Sequence, residues 1–443
     1  MKARMKTIGT VVVPLLVLFS FISCNEEIED PQYIPLKVKE AIFEGMQEWY
    51  YWNAELPHTL NLANYQSNEE LLEVLKYKTF DKWSYLTTRE DFDKAFTGQN
   101  AGHGVGFTID SDERIFLAFV YEDSPAGKDN WQRGWEIVEV NGKPVPFYRR
   151  GNGYDFQLGP DNTGISNTFK FRTQDGDILE RTIPKAEYQS NSVLYQNVLE
   201  ENGKRIGYWV YNSFKATPGI EPTTSVEVEE SMNYFEENQI DELIIDLRYN
   251  GGGSVEVAEQ LMNYLIPVGS SDMLMYTNAF NEDRSDLNED QYFEKKGQIN
   301  LNRIIFITSR GSASSSELII NCLLPYLEVV LIGDNTYGKP VGAFPLSGFY
   351  KALEENNVEL VPITFAIANA EGKAAYYEGF PVNFQIADDP AKNWGDQEEK
   401  RFKAALEFIR TGTVDARSRA FYVPPSWAMI DDFDGLKKEF PAY

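Results

Sequence analysis

The chain has 443 residues, of which 42% are hydrophobic and 14% aromatic, enough for packed cores and against wholesale disorder. Its 41 basic residues against 68 acidic ones leave a net charge of −27, which repels nucleic acid and sets that class of partner aside. A chain of this length has room for about three ordinary domains.

In chain order, Lys2, Arg4 and Lys6 precede a short apolar run, Val11 to Ile22, broken by Pro14. A spanning helix needs ~20 apolar residues, so the run is read as a secretory signal over residues 1–23. It ends in Phe21-Ile-Ser-Cys24, which resembles a bacterial lipobox with Phe21 in the usual leucine position. Cys24 is therefore the expected lipidation site. The expected address is the bacterial cell envelope, on the periplasmic or surface face of the outer membrane. Lipidation would consume one of the two cysteines and leave Cys322 as a small buried hydrophobe, with no disulfide and no cysteine zinc site. Residues 24–35, acidic from Asn25 to Asp30, read as a linker.

Residues 36–98 read as a helical N-terminal domain. Val38, Ile42, Met46 and Trp49 recur at helical spacing, and Ser67-Asn-Glu-Glu70 is a capping box ahead of Leu71, Val74 and Leu75. Trp49, Tyr50, Trp52, Trp83 and Tyr85 are its expected aromatic core.

Over residues 99–187 the texture changes to short β runs and glycine turns. Gly104-Val105-Gly106-Phe107 is followed by a strand from Ile115 to Tyr121, then Ser124-Pro-Ala, then a hairpin from Trp135 to Gly142. Successive backbone N–H groups of a glycine turn can hold a terminal carboxylate, and an open sheet edge can take a peptide as an added strand. Gly104, Val105, Gly106 and Phe107 are thus candidate peptide-binding residues, and His103 beside them reads as an incidental loop residue.

Residues 188–411 alternate strand and helix. Apolar runs at Ile206 to Val210, Glu242 to Leu247, Arg303 to Thr308 and Val329 to Gly333 are separated by helical patterns. That order predicts a mostly parallel sheet covered on both faces. The acidic segment Gly269 to Gly297 lies between two core elements. Residues 412–443 read as a polar C-terminal tail with scattered aromatics, including Trp427.

The chemistry concentrates in the core. The strand ending at Thr308 runs into a small-residue turn and then a helix, with Ser314 at the turn and Lys339 twenty-five residues on in a glycine-flanked turn. Serine is a weak nucleophile until a base takes its proton, and a lysine held neutral by an apolar site can be that base. A helix N-terminus favours a developing oxyanion through its dipole and free N–H groups, here that of Ser315. Glu317, three residues along, shares the helical face of Ser314 and is placed to orient Lys339. Gly251-Gly252-Gly253 ends a neighbouring strand and offers further donors.

Five serines crowd Ser309 to Ser316, so composition alone does not choose the nucleophile. A Ser-His-Asp triad is set aside, because the two histidines, His58 and His103, lie outside the core region. No Lys-Ser/Thr follows the glycines, and their spacing is not Gly-x-Gly-x-x-Gly, so nucleotide-binding loops also fail. No metal or organic cofactor is implied.

Three motifs carry a resemblance: Asp246-Leu-Arg-Tyr-Asn-Gly-Gly-Gly253, Gly311-Ser-Ala-Ser-Ser-Ser-Glu317 and Tyr337-Gly-Lys339. Together with the PDZ-like series they resemble the C-terminal processing peptidases, or tail-specific proteases, of the Bacteroidota lipoprotein type. The resemblance implies an α/β multidomain protein: a small helical N-terminal domain, a PDZ-like β-rich domain and a crotonase/ClpP-like α/β peptidase core. It implies Ser314 as nucleophile, Lys339 as base, Glu317 in support, and an oxyanion hole from Gly251 or Gly252 with Ser315. The implied partners are proteins or peptides with accessible C-termini and, through the N-terminal lipid, a membrane.

Glu378-Gly-Phe-Pro-Val-Asn383 departs from the Gly-(Ile/Val)-x-Pro-Asp usual late in the core. The alternative reading is a lipid-anchored protein that captures peptides or apolar ligands without hydrolysis. A crotonase-type acyl-CoA enzyme would account for the core, but not for the β-rich region, the export signal or Lys339.

Overall fold

The computed structural model describes residues 33–415, apart from 152, 162 and 218–222. The signal segment, Cys24, most of the linker, and the tail from 416 with Trp427 lie outside the described residues.

The N-terminal helices form where the capping signals place them. Helices span Tyr33–Trp49 and Asn68–Leu75, and the Ser67 hydroxyl accepts from the Glu70 N–H at 3.1 Å. The Glu70 carboxylate reaches back to the N–H of Gln66 at 2.6 Å, one residue short of the usual capping box. A third helix, Arg89–Thr97, is short and strongly polar, which hid it from a periodicity reading. Of the expected aromatic core, Tyr50 and Trp83 are buried, whereas Trp49, Trp52 and Tyr85 are half-buried. The helices do not enclose a core of their own. Val38, Ile42 and Met46 pack into one cluster with Ala313, Tyr337, Val341 and Ile363, so their apolar face closes over the α/β core beside Ser314.

The β-rich region is an antiparallel sheet in the order Ile178–Pro184, Ser166–Arg172, Glu136–Val140, Ile115–Val120, Val105–Ile109. The strand Val105–Ile109 is its outer edge. The region begins and ends in a two-stranded ribbon, Gln99–Gly102 against Ala186–Gln189.

The core sheet runs Val193–Glu201, Lys204–Tyr211, Glu242–Asp246, Arg303–Thr308, Glu328–Gly333, Phe384–Gln385. Its first pair is antiparallel and the rest are parallel. Helices cover both faces. Ile304 and Phe306 join Leu261 and Leu318 on one side, while Ile305 and Ile307 join Phe402 and Leu406 of the helix Lys400–Thr411 on the other. The two-sided burial explains why these strands are apolar throughout. The acidic segment contributes Leu274–Phe280 to a second sheet with Ile363–Asn369 and Val341–Ala343. The fold is thus mixed α/β, with a small helical N-terminal region, a β-rich unit and an α/β core.

A buried ionic cluster anchors the core beneath the glycine turn. The Arg248 guanidinium donates to Asp246 at 2.7 Å, to Asp388 at 2.6 Å and to Glu399 at 2.8 Å. Burial by itself would raise the Asp388 carboxyl, but Arg248, Arg401 and Arg133 hold it well below the usual carboxylate range. Removing the cation leaves three acids clustered out of water. Arg248→Met is therefore expected to cost about 3–5 kcal/mol of unfolding free energy, read from urea titrations.

Candidate active site

The strand Arg303–Thr308 ends in a turn whose serines have separate tasks. Ser312 donates to the Leu247 carbonyl at 2.8 Å, Ser315 to the Gly253 carbonyl at 2.8 Å, and Ser316 to the Asn250 carbonyl at 3.0 Å. Ser309 donates to the Arg248 carbonyl. Ser312, Ser315 and Ser316 are fully buried, whereas Ser314 is partly open to solvent. Ser314 also has φ 54° and ψ −116°, a backbone region that L-residues rarely occupy. Holding a non-glycine residue there costs of order 1–3 kcal/mol, so neighbouring contacts must over-determine it. They do: the hydroxyls of Ser315 and Ser316 and the Ala313 N–H, which donates to the Asn250 carbonyl at 3.1 Å, lock both flanks.

The glycine turn packs directly on Ser314. At Gly252 (φ 118°) an added Cβ would lie 2.7 Å from the Ser314 Cβ and 3.2 Å from the Ser315 nitrogen. Asn250, fully buried, shapes this turn: its amide donates to the Tyr211 carbonyl at 3.0 Å, and its Oδ1 accepts from the Gly252 N–H at 2.9 Å.

Lys339 is 3% exposed and lies in a turn that follows the strand Glu328–Gly333. The turn is braced by a backbone crossing. At Gly338 (φ 99°) a Cβ would lie 2.2 Å from the Tyr377 carbonyl, and at Gly379 (φ 79°) 2.2 Å from the Thr336 carbonyl. Glycine is needed on both sides, which gives the Glu378-Gly-Phe-Pro stretch a structural role.

One carboxylate joins the parts. Glu317 Oε2 accepts from the N–H of Ser314 at 3.2 Å and of Lys339 at 2.8 Å. Oε1 accepts from the N–H of Gly338 at 2.7 Å and from the Thr336 hydroxyl at 2.6 Å. Burial raises the Glu317 carboxyl above its ordinary range, and these four donors oppose the rise. Ser314, Ser315, Gly251, Gly252, Glu317 and Lys339 therefore meet in one place. Thr336 and Asn250 belong there too, although no local signal separates them from other turn polar residues.

The remaining candidate residues lie apart, in the β-rich region. Gly104, Val105 and Gly106 are buried and Phe107 is half-buried on the edge strand. His103 lies in the loop between Gln99–Gly102 and Val105–Ile109, and it is fully buried, edge-on to the Phe169 ring at 5.4 Å between centroids. Cys322 is a free, buried thiol in the helix Ser315–Leu323. Among the described residues no cluster of metal-ligating side chains is found.

A strained serine at a strand–turn–helix, tied through one buried acid to a lysine turn and faced by a glycine turn, defines a hydrolase-type centre on an α/β core. Comparison with known proteins places it. Residues 205–347 match Peptidase family S41, and residues 37–85 match the Peptidase S41 N-terminal domain. Its α/β core and its N-terminal helices are thus each similar to a domain of peptidase family S41.

It is 22% identical over 76% of its length to a "Probable CtpA-like serine protease" of Staphylococcus epidermidis, spanning 62% of that protein. It is also 22% identical to the carboxy-terminal processing protease CtpB of Bacillus subtilis, over 58% of this chain and 50% of that one. The chain thus spans less than two thirds of these relatives' length. A Bacteroides fragilis crystal structure assigned to the S41 proteases shares the fold, with a TM-score of 0.68 and 22% identity over 85% of this chain and 98% of that one.

The Gly338–Tyr377 crossing generates a prediction. Gly338→Ala places a methyl group against a backbone carbonyl at positive φ and is expected to destabilise the fold by about 2–4 kcal/mol. Chemical denaturation should show this, and an unchanged midpoint would contradict the tight crossing.

Proposed function

We propose that the chain is a serine endopeptidase that takes up protein C-termini through its PDZ-like region and hydrolyses peptide bonds by a Ser–Lys mechanism. The observation that carries this reading is the Glu317 carboxylate, which binds the backbone of Ser314 and of Lys339 at once. A purely structural helix cap has no need to reach a second turn twenty-two residues away.

In the proposed cycle the Lys339 amine takes the Ser314 hydroxyl proton as Oγ bonds to the scissile carbonyl carbon. The carbonyl oxygen becomes an oxyanion, held by the Ser315 N–H and a donor of the glycine turn. Because the Gly252 N–H is given to Asn250, Gly251 is the assigned glycine donor. The tetrahedral centre collapses and the C–N bond breaks. Lys339 returns its proton to the leaving amine, and an acyl-enzyme remains on Ser314. Water, giving a proton to Lys339, attacks the ester, and the proton passes back to Ser314 as the acid product leaves. The strained backbone at Ser314 serves this cycle by leaving that residue partly open to solvent in an otherwise buried turn.

The test uses an unfolded reporter with either an apolar or a charged C-terminus, read by intact mass. Cleavage that favours the apolar tail is expected, with Ser314→Ala and Lys339→Ala each lowering the rate at least ~10³-fold while thermal unfolding stays near that of the parent. Equal tail binding by all forms with no cleavage would leave a capture protein instead. The same reading places the enzyme in the cell envelope through a lipid on Cys24. Cys24→Ala should shift the protein from the membrane to the soluble fraction, and unchanged fractionation would remove the anchor.

A further inference from the structure

A buried lysine outside the catalytic centre has an unusual set of partners. Ala186 pairs with Gly102 across the two-stranded ribbon, which brings Lys185 beside His103 and the turn at Gly104. The Lys185 side chain is 2% exposed, and its ammonium donates to the carbonyls of Gly159 at 2.8 Å and Pro160 at 3.1 Å and to the Asp161 carboxylate at 2.7 Å. Asp161 itself is 45% exposed. The cation is therefore deep in the β-rich region, while its counter-ion stands at the surface.

Around the same turn, buried polar atoms lack partners among the described residues. The clearest is the hydroxyl of Tyr188, whose ring lies 3.2 Å from the position a Cβ would take on Gly104. Burial, aided by the Lys185 charge, pushes His103 down to about 4, so its ring is neutral at neutral pH, with the Ile183 backbone as a hydrogen-bond partner. A buried donor left unsatisfied points to a missing acceptor.

The segment that ends at Asp161 also packs side chains against the edge strand. The Phe156 ring is buried and meets that of Phe107, on Val105–Ile109, edge-on at 5.5 Å. Leu158 packs into the same cluster. Read in order, the segment sets an apolar side chain against an open strand and delivers a carboxylate beside a glycine turn. A peptide C-terminus does the same when it binds a sheet edge.

We infer that residues Phe156 to Asp161 are a built-in occupant of the peptide site, and that the Lys185 ammonium is the seat of a substrate's terminal carboxylate, which enters by displacing Asp161. This rests on the proposed recognition of protein C-termini by the β-rich region and names the group that does it. Exchanging one carboxylate for another keeps the buried cation neutralised throughout, which avoids the cost of stripping it. The incoming group brings an acceptor oxygen for the unsatisfied Tyr188 hydroxyl, to which Asp161 makes no hydrogen bond. The resting protein is thereby closed to peptides that lack a free terminal carboxylate.

The experiment measures fluorescence anisotropy of a labelled decapeptide with an apolar last residue, as the free acid and as the C-terminal amide, on the full-length chain. The acid is expected to bind better than the amide. Asp161→Asn should tighten the acid by about fivefold, the worth of one half-exposed ion pair, and leave the amide unchanged. Lys185→Met should erase the difference between acid and amide, and Lys185→Arg should keep it. If circular dichroism shows Lys185→Met unfolded, the Asp161→Asn and Lys185→Arg variants decide alone. An acid affinity unmoved by Asp161→Asn, or an amide tightened equally, overturns the inference while leaving C-terminal recognition standing. Binding of neither peptide to any form removes that recognition and this inference with it.

Discussion

The Glu317 carboxylate is the point on which the geometry of the candidate site turns, because four donors from two turns of the chain converge on its two oxygens. A buried acid with no donors would be neutral, and a neutral acid could accept from fewer groups. The donors therefore oppose the rise that burial imposes on this carboxyl, and the carboxyl in turn holds the donors. Through this exchange the start of the serine helix and the lysine turn, carried by different strands, share one rigid frame. Catalysis by a positioned nucleophile and base depends on such a frame more than on the reactivity of either side chain.

The frame is in turn supported from beneath and from outside. Beneath it, Arg248 gathers Asp246, Asp388 and Glu399, so the strand that carries the glycine turn is bolted to the segment ahead of the last helix. A cluster of this kind contributes little net stability relative to an apolar replacement, but it is costly to break and so fixes one arrangement. Outside, the N-terminal helices bury Val38, Ile42 and Met46 against Ala313 and Tyr337, the residues adjoining Ser314 and Gly338. The helical region thus acts as part of the wall of the centre.

The β-rich region stands in a different relation to the core. It is inserted through a two-stranded ribbon, and Arg133 ties it down, donating to the Tyr249 hydroxyl at 3.1 Å and to the Lys392 carbonyl at 3.0 Å. Tyr249 begins the turn that ends in the three glycines. The β-rich region and the glycine turn are therefore adjacent in space although their residues are far apart in the chain.

Much of this was legible in the amino-acid order. Caps and 3.6-residue periodicity mark the helices at Tyr33–Trp49 and Asn68–Leu75, and apolar runs mark the parallel strands, because these patterns depend on neighbours a few residues away. The glycine, serine and lysine motifs are also local, and their types alone point to nucleophile, base and oxyanion donors. What the order left open was decided by contacts across the fold. Five serines were equivalent until burial and hydrogen bonds to distant carbonyls occupied four of their hydroxyls and left Ser314 partly exposed. Gly251 and Gly252 were equivalent until Asn250 took the N–H of Gly252. Glu399 meets Arg248 across 151 positions, and Lys185 meets Asp161 at a turn with no repeat or motif to announce it. Periodicity and motifs are short-range properties of a chain, whereas the pairing of one buried charge or donor with its partner exists only once the sheets and helices have packed.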